Sequence, residues 1–401
     1  MRYVLTTRAR ALAILTAIAL FTLPAFAQDQ EGPPPYPAPP LDPGALTGDE
    51  MRLFAHALSS IMLNIDDLRF KKDYYDDPFR LETVQRALDE PLSLVEWNYG
   101  WDAFLLEPKA TADIIGKAAQ DLDCGELQSF EYSPEKAKPA KRPKGIPQDW
   151  HEMIMSLDEA IFKASALIEG RVMGSLTEED RAFLKTYLIC RFIMEDKEQK
   201  IEGIVCPQEE AYGANQQFLD TMENYDLASL LAIAAQLSSR VEKTIEMMRT
   251  LKRAVAIRGR AGAILIGTKG DDTWRLDEQT APCLIIDPGG NDVYYGGIAA
   301  AGNLKDENNP LVSVVIDLKG HDMYLSQGER SNGSGVLGVA MQFDLEGNDT
   351  YRAGKLSQGC GLYGVGILSD REGDDLYRAD FLVQGKGILA GIGKARVAQQ
   401  V

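Results

Sequence analysis

Four times in the last third of the chain an aspartate is followed by glycine three residues on, a second aspartate five on and tyrosine seven on. The copies are Asp287/Gly290/Asp292/Tyr294, Asp317/Gly320/Asp322/Tyr324, Asp344/Gly347/Asp349/Tyr351 and Asp370/Gly373/Asp375/Tyr377. A fifth stretch, Gly267 to Trp274, keeps Gly270, Asp272 and the aromatic but lacks the leading aspartate. Paired carboxylates can act as acid and base on a glycosidic bond. They can hold a hard cation such as calcium, or accept N–H groups of a turn. A catalytic pair is unique to one place, whereas these pairs recur, and recurrence points to architecture. Two roles stay open for Asp287, Asp292, Asp317, Asp322, Asp344, Asp349, Asp370 and Asp375: ligands for calcium, or caps for turns. The one singular residue in the repeats is His321, which stands where the other copies have Asn or Asp.

The elements that must position these residues follow from the period. The central glycines are 20, 30, 27 and 26 residues apart, and a period in the twenties marks a repeat architecture. Each unit reads as a β-branched strand, an Asp-Gly turn, a short strand bearing the aromatic, and a Gly-rich strand such as Gly361 to Leu368. A Gln-Gly landmark recurs at Gln327, Gln358 and Gln384. One unit cannot bury its own apolar face, but stacked units can. Stacking in register places the aspartates in two columns and Trp274, Tyr294, Tyr324, Tyr351 and Tyr377 in a third, with neighbours roughly 4.8 Å apart. Carboxylates that close raise one another's pKa and need compensation.

Upstream the pattern is helical. Thr47 with Glu50 forms a capping box, followed by Met51, Phe54, Leu58, Ile61, Ile65 and Leu68. A second helix is expected from about Pro78 to before Pro91. The aromatic cluster Trp97, Tyr99, Trp101 and Phe104 fits core packing better than sugar stacking. Residues 133–148 read as an exposed Lys/Pro-rich loop. Asp149 and Thr177 cap further helices, and one long helix is expected over 209–254. Its apolar seam from Leu227 to Leu251 needs a partner in a bundle or a dimer. Near residue 260 the composition changes: 24 of the 36 glycines lie between Ala261 and Ala395, with 14 Asp against 5 Glu. The expected fold is therefore α plus β multidomain, an N-terminal α-helical bundle (47–258) followed by a C-terminal β-solenoid (261–395) and a short tail (396–401).

Arg2, Arg8 and Arg10, the apolar run Ala11 to Leu23 and the Ala25-Phe26-Ala27 site read as a signal peptide over 1–27. A Pro-rich linker follows over 28–46. The expected location is periplasmic or extracellular, with no membrane span after cleavage. A net charge of −18 argues against a nucleic-acid partner. Of the five cysteines, one pair among Cys124, Cys190 and Cys206 is expected to bond, and Cys360 reads as a small buried residue. The repeat pattern expects another turn near residue 396 where the chain has Lys394 to Val401 instead. That unfinished coil is open to three readings: a polar cap, a docking end for a partner or second copy, or a truncated array.

The stretches Gly-Gly-Asn-Asp-Val-Tyr-Tyr-Gly-Gly (289–297) and Gly-Asn-Asp-Thr-Tyr (347–351) resemble the Gly-x-Asp-x-apolar half of RTX-type calcium-binding repeats. The pattern as a whole looks closer to secreted bacterial proteins with Gly-Asp-Asp-x-Tyr repeats. The resemblance covers the last third of the chain and implies a secreted, calcium-filled parallel β-roll. The function expected is that of an exported, non-enzymatic structural or binding protein whose solenoid faces a glycan, a cell-envelope component or a protein. The alternative is a β-helix carbohydrate-active enzyme, a polysaccharide lyase or glycosidase, with Asp322, Asp349 and Asp375 as candidate acids.

Overall fold

The computed structural model describes residues 48–64, 81–90, 93–106, 109–130, 142–193, 206, 212–245, 247–248, 254–276, 282–302, 310–326, 328, 330–380, 387–388 and 392–395. The expected signal peptide, linker and tail, and the landmarks Gln327 and Gln384, lie outside these residues. The chain divides into two compact units.

Among the described residues the first unit holds three helices. Helix α1 (Gly48–Ser60) buries Phe54 and Leu58, two of its expected core positions. Helix α2 spans Glu82–Asp89 and α3 spans Ser93–Leu105. The aromatic cluster differs from the core packing expected of it. Trp97, Trp101 and Phe104 meet edge to face, with ring centroids 6.2 and 5.9 Å apart, yet no residue of α3 is fully buried.

The second unit contains both the later helices and all the strands. Its helices are α4 (Thr111–Asp121), α5 (Gln148–Leu167), α6 (Glu178–Leu188), α7 (Tyr212–Glu223) and α8 (Leu227–Ile245). Thr177 and Asp180 close a capping box on α6. Cys190 and Cys206 form a disulfide, while Cys283 and Cys360 are buried thiols.

The single long helix expected over 209–254 is two helices. The chain leaves helical geometry at Asn224 to Asp226, three residues of poor helix propensity. Asp226 starts the next helix, its Oδ1 accepting the Ser229 amide at 2.9 Å. Tyr225 turns away, and its buried hydroxyl donates to the Tyr363 carbonyl at 2.6 Å. The α8 seam finds its partners within the chain. Leu230, Ala234, Leu237 and Val241 are buried, where α8 packs on α5 and on the strand Val365–Asp370.

The strands form a β-solenoid of three sheets. The first sheet has seven strands: β1 (Val255–Arg258), β2 (Ala263–Ile266), β4 (Leu284–Asp287), β7 (Val312–Asp317), β10 (Val339–Asp344), β13 (Val365–Asp370) and β16 (Ile392–Ala395). β1 runs antiparallel to β2 and every other pairing is parallel. The second sheet stacks β3 (Thr273–Arg275), β5 (Val293–Tyr295), β8 (Met323–Leu325), β11 (Thr350–Ala353) and β14 (Leu376–Ala379). The third holds β6 (Ala300–Ala301), β9 (Ser334–Val336), β12 (Gly361–Leu362) and β15 (Gly387–Ile388).

Strands β7, β10 and β13 are buried on both faces, as continuous apolar runs in a parallel sheet require. Ile285, Val315 and Leu368 point into the coil against Tyr294, Tyr324 and Tyr351, while α5 lies on β7 and α8 on β13 outside. The expected single strand from Gly361 to Leu368 bends at Tyr363, whose φ of 46° makes the corner between β12 and β13.

Candidate metal centre

The strand register builds the first column. Asp287 pairs with Asp317, Asp317 with Asp344, and Asp344 with Asp370. Each aspartate ends its strand, so its side chain points into the coil just where the turn begins. Asp287 Oδ1 accepts the amide of Gly289 at 3.1 Å and Asp317 Oδ1 that of Lys319 at 3.2 Å. Their second oxygens meet the aromatic column. The Trp274 indole donates to Asp287 at 3.0 Å, Tyr294 to Asp317 at 2.7 Å, and Tyr377 to Asp370 at 2.6 Å. Asp344 Oδ2 takes two phenols, Tyr324 at 2.6 Å and Tyr351 at 3.0 Å.

The aromatic residues form a stack with centroids 4.7 to 4.8 Å apart from Tyr294 to Tyr377, and Trp274 follows at 6.3 Å. Tyr294, Tyr324 and Tyr351 are fully buried, so the ladder is interior rather than a surface for sugars.

The second column links the coils differently. Asp292 Oδ1 accepts the amide of Asp272 at 2.5 Å, and Asp322 Oδ1 that of Asp292 at 2.6 Å. Asp349 and Asp375 continue the series with the amides of Asp322 and Asp349, at 2.7 and 2.9 Å. Each carboxylate therefore caps the backbone of the preceding coil. The central glycines allow this close stacking. A Cβ on Gly320 would strike the Gly290 carbonyl oxygen, and one on Gly347 would strike that of Gly320. Positive φ is the requirement only at Gly290 (153°) and Gly373 (149°).

Together the columns make four groups: Asp272/Asp287/Asp292, Asp292/Asp317/Asp322, Asp322/Asp344/Asp349 and Asp349/Asp370/Asp375. Within each group one oxygen from every residue lies within 4.8 Å of the others. All eight aspartates expected from the sequence belong to these groups. Asp272 completes the first one; the degenerate fifth copy carried it in the second-column slot.

Turn capping leaves oxygens over. Asp292 Oδ2, Asp322 Oδ2, Asp344 Oδ1, Asp349 Oδ2 and Asp370 Oδ1 are buried and accept no hydrogen bond. The residues that carry them are at most 1% exposed. Burial, with the neighbouring carboxylates added, pushes Asp287 up to about 8 and Asp322 to about 7. Burial likewise raises Asp370 to about 7 and Asp292 and Asp349 to about 6. Asp317 and Asp344, the deepest, move well above the ordinary carboxylate range for the same reason. Clustered, desolvated carboxylates with free lone pairs are the donor set of a hard cation such as calcium. The residues fit that ion in type, and their free oxygens have no other occupant among the described residues.

His321 is part of a third ladder. Its amide donates to Asn291 Oδ1 at 3.0 Å, and its Nδ1 accepts the Asn348 amide at 2.9 Å. Asn291 in turn donates to Asp271, and Asn348 accepts from Asp374, both at 2.9 Å. The imidazole takes the place of an amide or carboxylate side chain in a turn. This column was visible in the sequence only as the variable residue between glycine and the second aspartate. No family model, curated protein or solved structure matches the chain.

Proposed function

We propose that this chain is an exported, non-enzymatic binding or structural protein whose solenoid is stabilised by calcium held between its coils. The observation that carries this is repetition: the same three-carboxylate group occurs at four successive levels, with unpartnered buried oxygens at each. Nine aspartates make up the four groups, so four divalent cations would leave one negative charge among them. Calcium supplies the positive charge that burial otherwise denies these carboxylates. Asp287, Asp317, Asp344 and Asp370 would bind it from the strand ends, and Asp292, Asp322, Asp349 and Asp375 from the turns, with Asp272 at the first level.

The burial of Asp322 and Asp349, each 1% exposed, weighs against their attacking a polysaccharide, which must reach its catalytic acids. Export rests on the N-terminal sequence, and the amino-terminal residue of the exported protein tests it: cleavage after Ala27 is expected.

The calcium reading is tested by melting the full-length mature protein at pH 8 in chelator, magnesium or calcium. A ligand at a thousand times its Kd adds about 4 kcal/mol per site. A calcium-specific rise in Tm is expected. An unchanged Tm up to millimolar calcium would leave the columns as turn caps alone.

A further inference from the structure

The second sheet presents its other face to solvent. Tyr294, Tyr324 and Tyr351 point inward from their strands, so the residues on either side of them point out. Five strands thus offer ten outward positions. In a chain with 60 acidic and 42 basic residues, none of these ten is acidic and three are arginine: Arg275, Arg352 and Arg378. All three are exposed. Among the rest, Met323 is 43% and Leu376 61% exposed.

The arginines are placed at a cost. Arg352 and Arg378 stand directly opposite each other in the parallel register of β11 and β14, where like charges repel. Three other basic side chains of the coils have partners within the chain. Lys319 pairs with Glu346, Arg371 with Glu242, and Arg330 bonds the Gly302 carbonyl. Among the described residues, Arg352 and Arg378 have no acidic partner. Arg275 sits over the Tyr295 ring, its guanidinium carbon 4.9 Å from the centroid.

We infer that this face, centred on Arg352 and Arg378, binds an acidic polysaccharide laid along the solenoid axis. This rests on the binding-protein reading above and names the ligand class. Charge complementarity selects a polyanion, since the face carries cations without anions. The fork of guanidinium donors matches carboxylate or sulfate oxygens. A polymer running across the strands meets a new strand roughly every 4.8 Å, so repeated anionic groups meet repeated positions. Met323 and Leu376, exposed on the same face, offer contact for the C–H faces of sugar rings. An acidic peptide would satisfy the charges but makes less use of these apolar side chains.

The test is binding of oligogalacturonate to the full-length protein by calorimetry, with dextran as the neutral control and polyglutamate as the acidic peptide control. Arg352→Glu/Arg378→Glu is compared after confirming an unchanged melting temperature, which surface positions permit. Salt-sensitive binding of oligogalacturonate is expected, at least about tenfold weaker in the double variant. Equal binding by the variant, no binding by the native protein, or binding of polyglutamate alone would each overturn the assignment. Reducing-end release is followed in the same samples. Cleavage of the oligosaccharide would overturn the non-enzymatic reading while leaving the binding face in place.

Discussion

The amide of Asp292 donates to the Asp322 carboxylate one coil further on, at 2.6 Å. One residue earlier the polarity reverses, and the amide of His321 donates back to the Asn291 side chain at 3.0 Å. Two ladders of opposite direction thus run side by side through the turns. Each coil is fixed to both neighbours by side chain to backbone bonds as well as by the sheet. One oxygen of Asp322 is committed to this ladder, while the other is buried and free. The same carboxylate is therefore both a structural cap and a candidate ligand, and substitution can separate the two roles.

Asp322→Asn retains an acceptor for the Asp292 amide and places an N–H2 donor among carboxylates. At pH 8 in chelator this variant is expected to be at least as stable as the native protein, by up to about 1 to 2 kcal/mol. Its calcium-induced Tm rise should shrink, because two adjacent groups share Asp322. Asp322→Ala loses the cap as well and should cost about 1 to 3 kcal/mol under either condition. Denaturant titrations with and without calcium measure both. An undiminished calcium response in the Asn variant would remove Asp322 from the ligand set.

The pH dependence has a definite sign. Folding raises these aspartates from near 4 to about 6 for Asp292 and Asp349, and to about 7 or 8 for Asp322, Asp370 and Asp287. The folded state therefore holds more protons than the unfolded state. The contribution to stability is full below about pH 4 and is lost as pH rises through 6 to 8. In chelator the Tm should fall between pH 5 and pH 8.5. Calcium competes with those protons, so its stabilisation should be small at pH 5 and largest at pH 8.5. Melting curves at four or five pH values, with and without calcium, give the slope, and a chelated protein that gains stability toward pH 8.5 contradicts it.

The solenoid was legible in the sequence because a repeated motif reports register directly: Asp344 under Asp370 and Tyr351 under Tyr377 follow from the period alone. The aromatic ladder was legible as a half-buried stack, but not as one whose Tyr294, Tyr324 and Tyr351 are wholly interior. Alternation places a tyrosine on one face of its strand, but only closure of the coil decides that this face is interior. The break at Tyr225 was missed because Asn224, Tyr225 and Asp226 include no Gly or Pro to mark a stop, although the apolar seam begins only at Leu227; it is fixed by the Asp226 N-cap and by the Tyr225 hydroxyl on the distant Tyr363 carbonyl. The joining of helices and strands in one compact unit depends on residues such as Asp158, whose partners lie about a hundred positions away and leave no local pattern.

The phenols of the ladder are predicted to differ in value. Tyr294 is the sole phenol on Asp317 Oδ2, whereas Asp344 Oδ2 accepts from both Tyr324 and Tyr351. Tyr294→Phe leaves a buried acceptor unpaired and should cost about 2 to 3 kcal/mol, against about 1 kcal/mol for Tyr324→Phe. Tyr324→Ala also opens a cavity between two stacked rings and should cost about 3 to 5 kcal/mol. Urea unfolding of the three variants gives the order. Equal losses for the two phenylalanine variants would mean that the hydroxyls do not hold the aspartate column.

Asp158 tests whether the helices and the solenoid unfold together. From α5 its Oδ2 accepts the Arg260 amide at 2.7 Å and its Oδ1 the Ala261 amide at 3.0 Å, at the turn between β1 and β2. Glu159 adds an ion pair to Arg260 at 2.7 Å, and that guanidinium lies 4.2 Å over the Phe162 ring. Asp158→Ala leaves two amides without acceptors at a largely buried site and should cost about 2 to 4 kcal/mol. If helix and coil form one cooperative unit, the loss appears as a lower Tm for a single transition that includes the tyrosine ladder. Calorimetry combined with near-ultraviolet dichroism of the stacked tyrosines distinguishes the cases. A variant in which the helices melt early while the tyrosine signal keeps its native Tm would show that the solenoid stands without them.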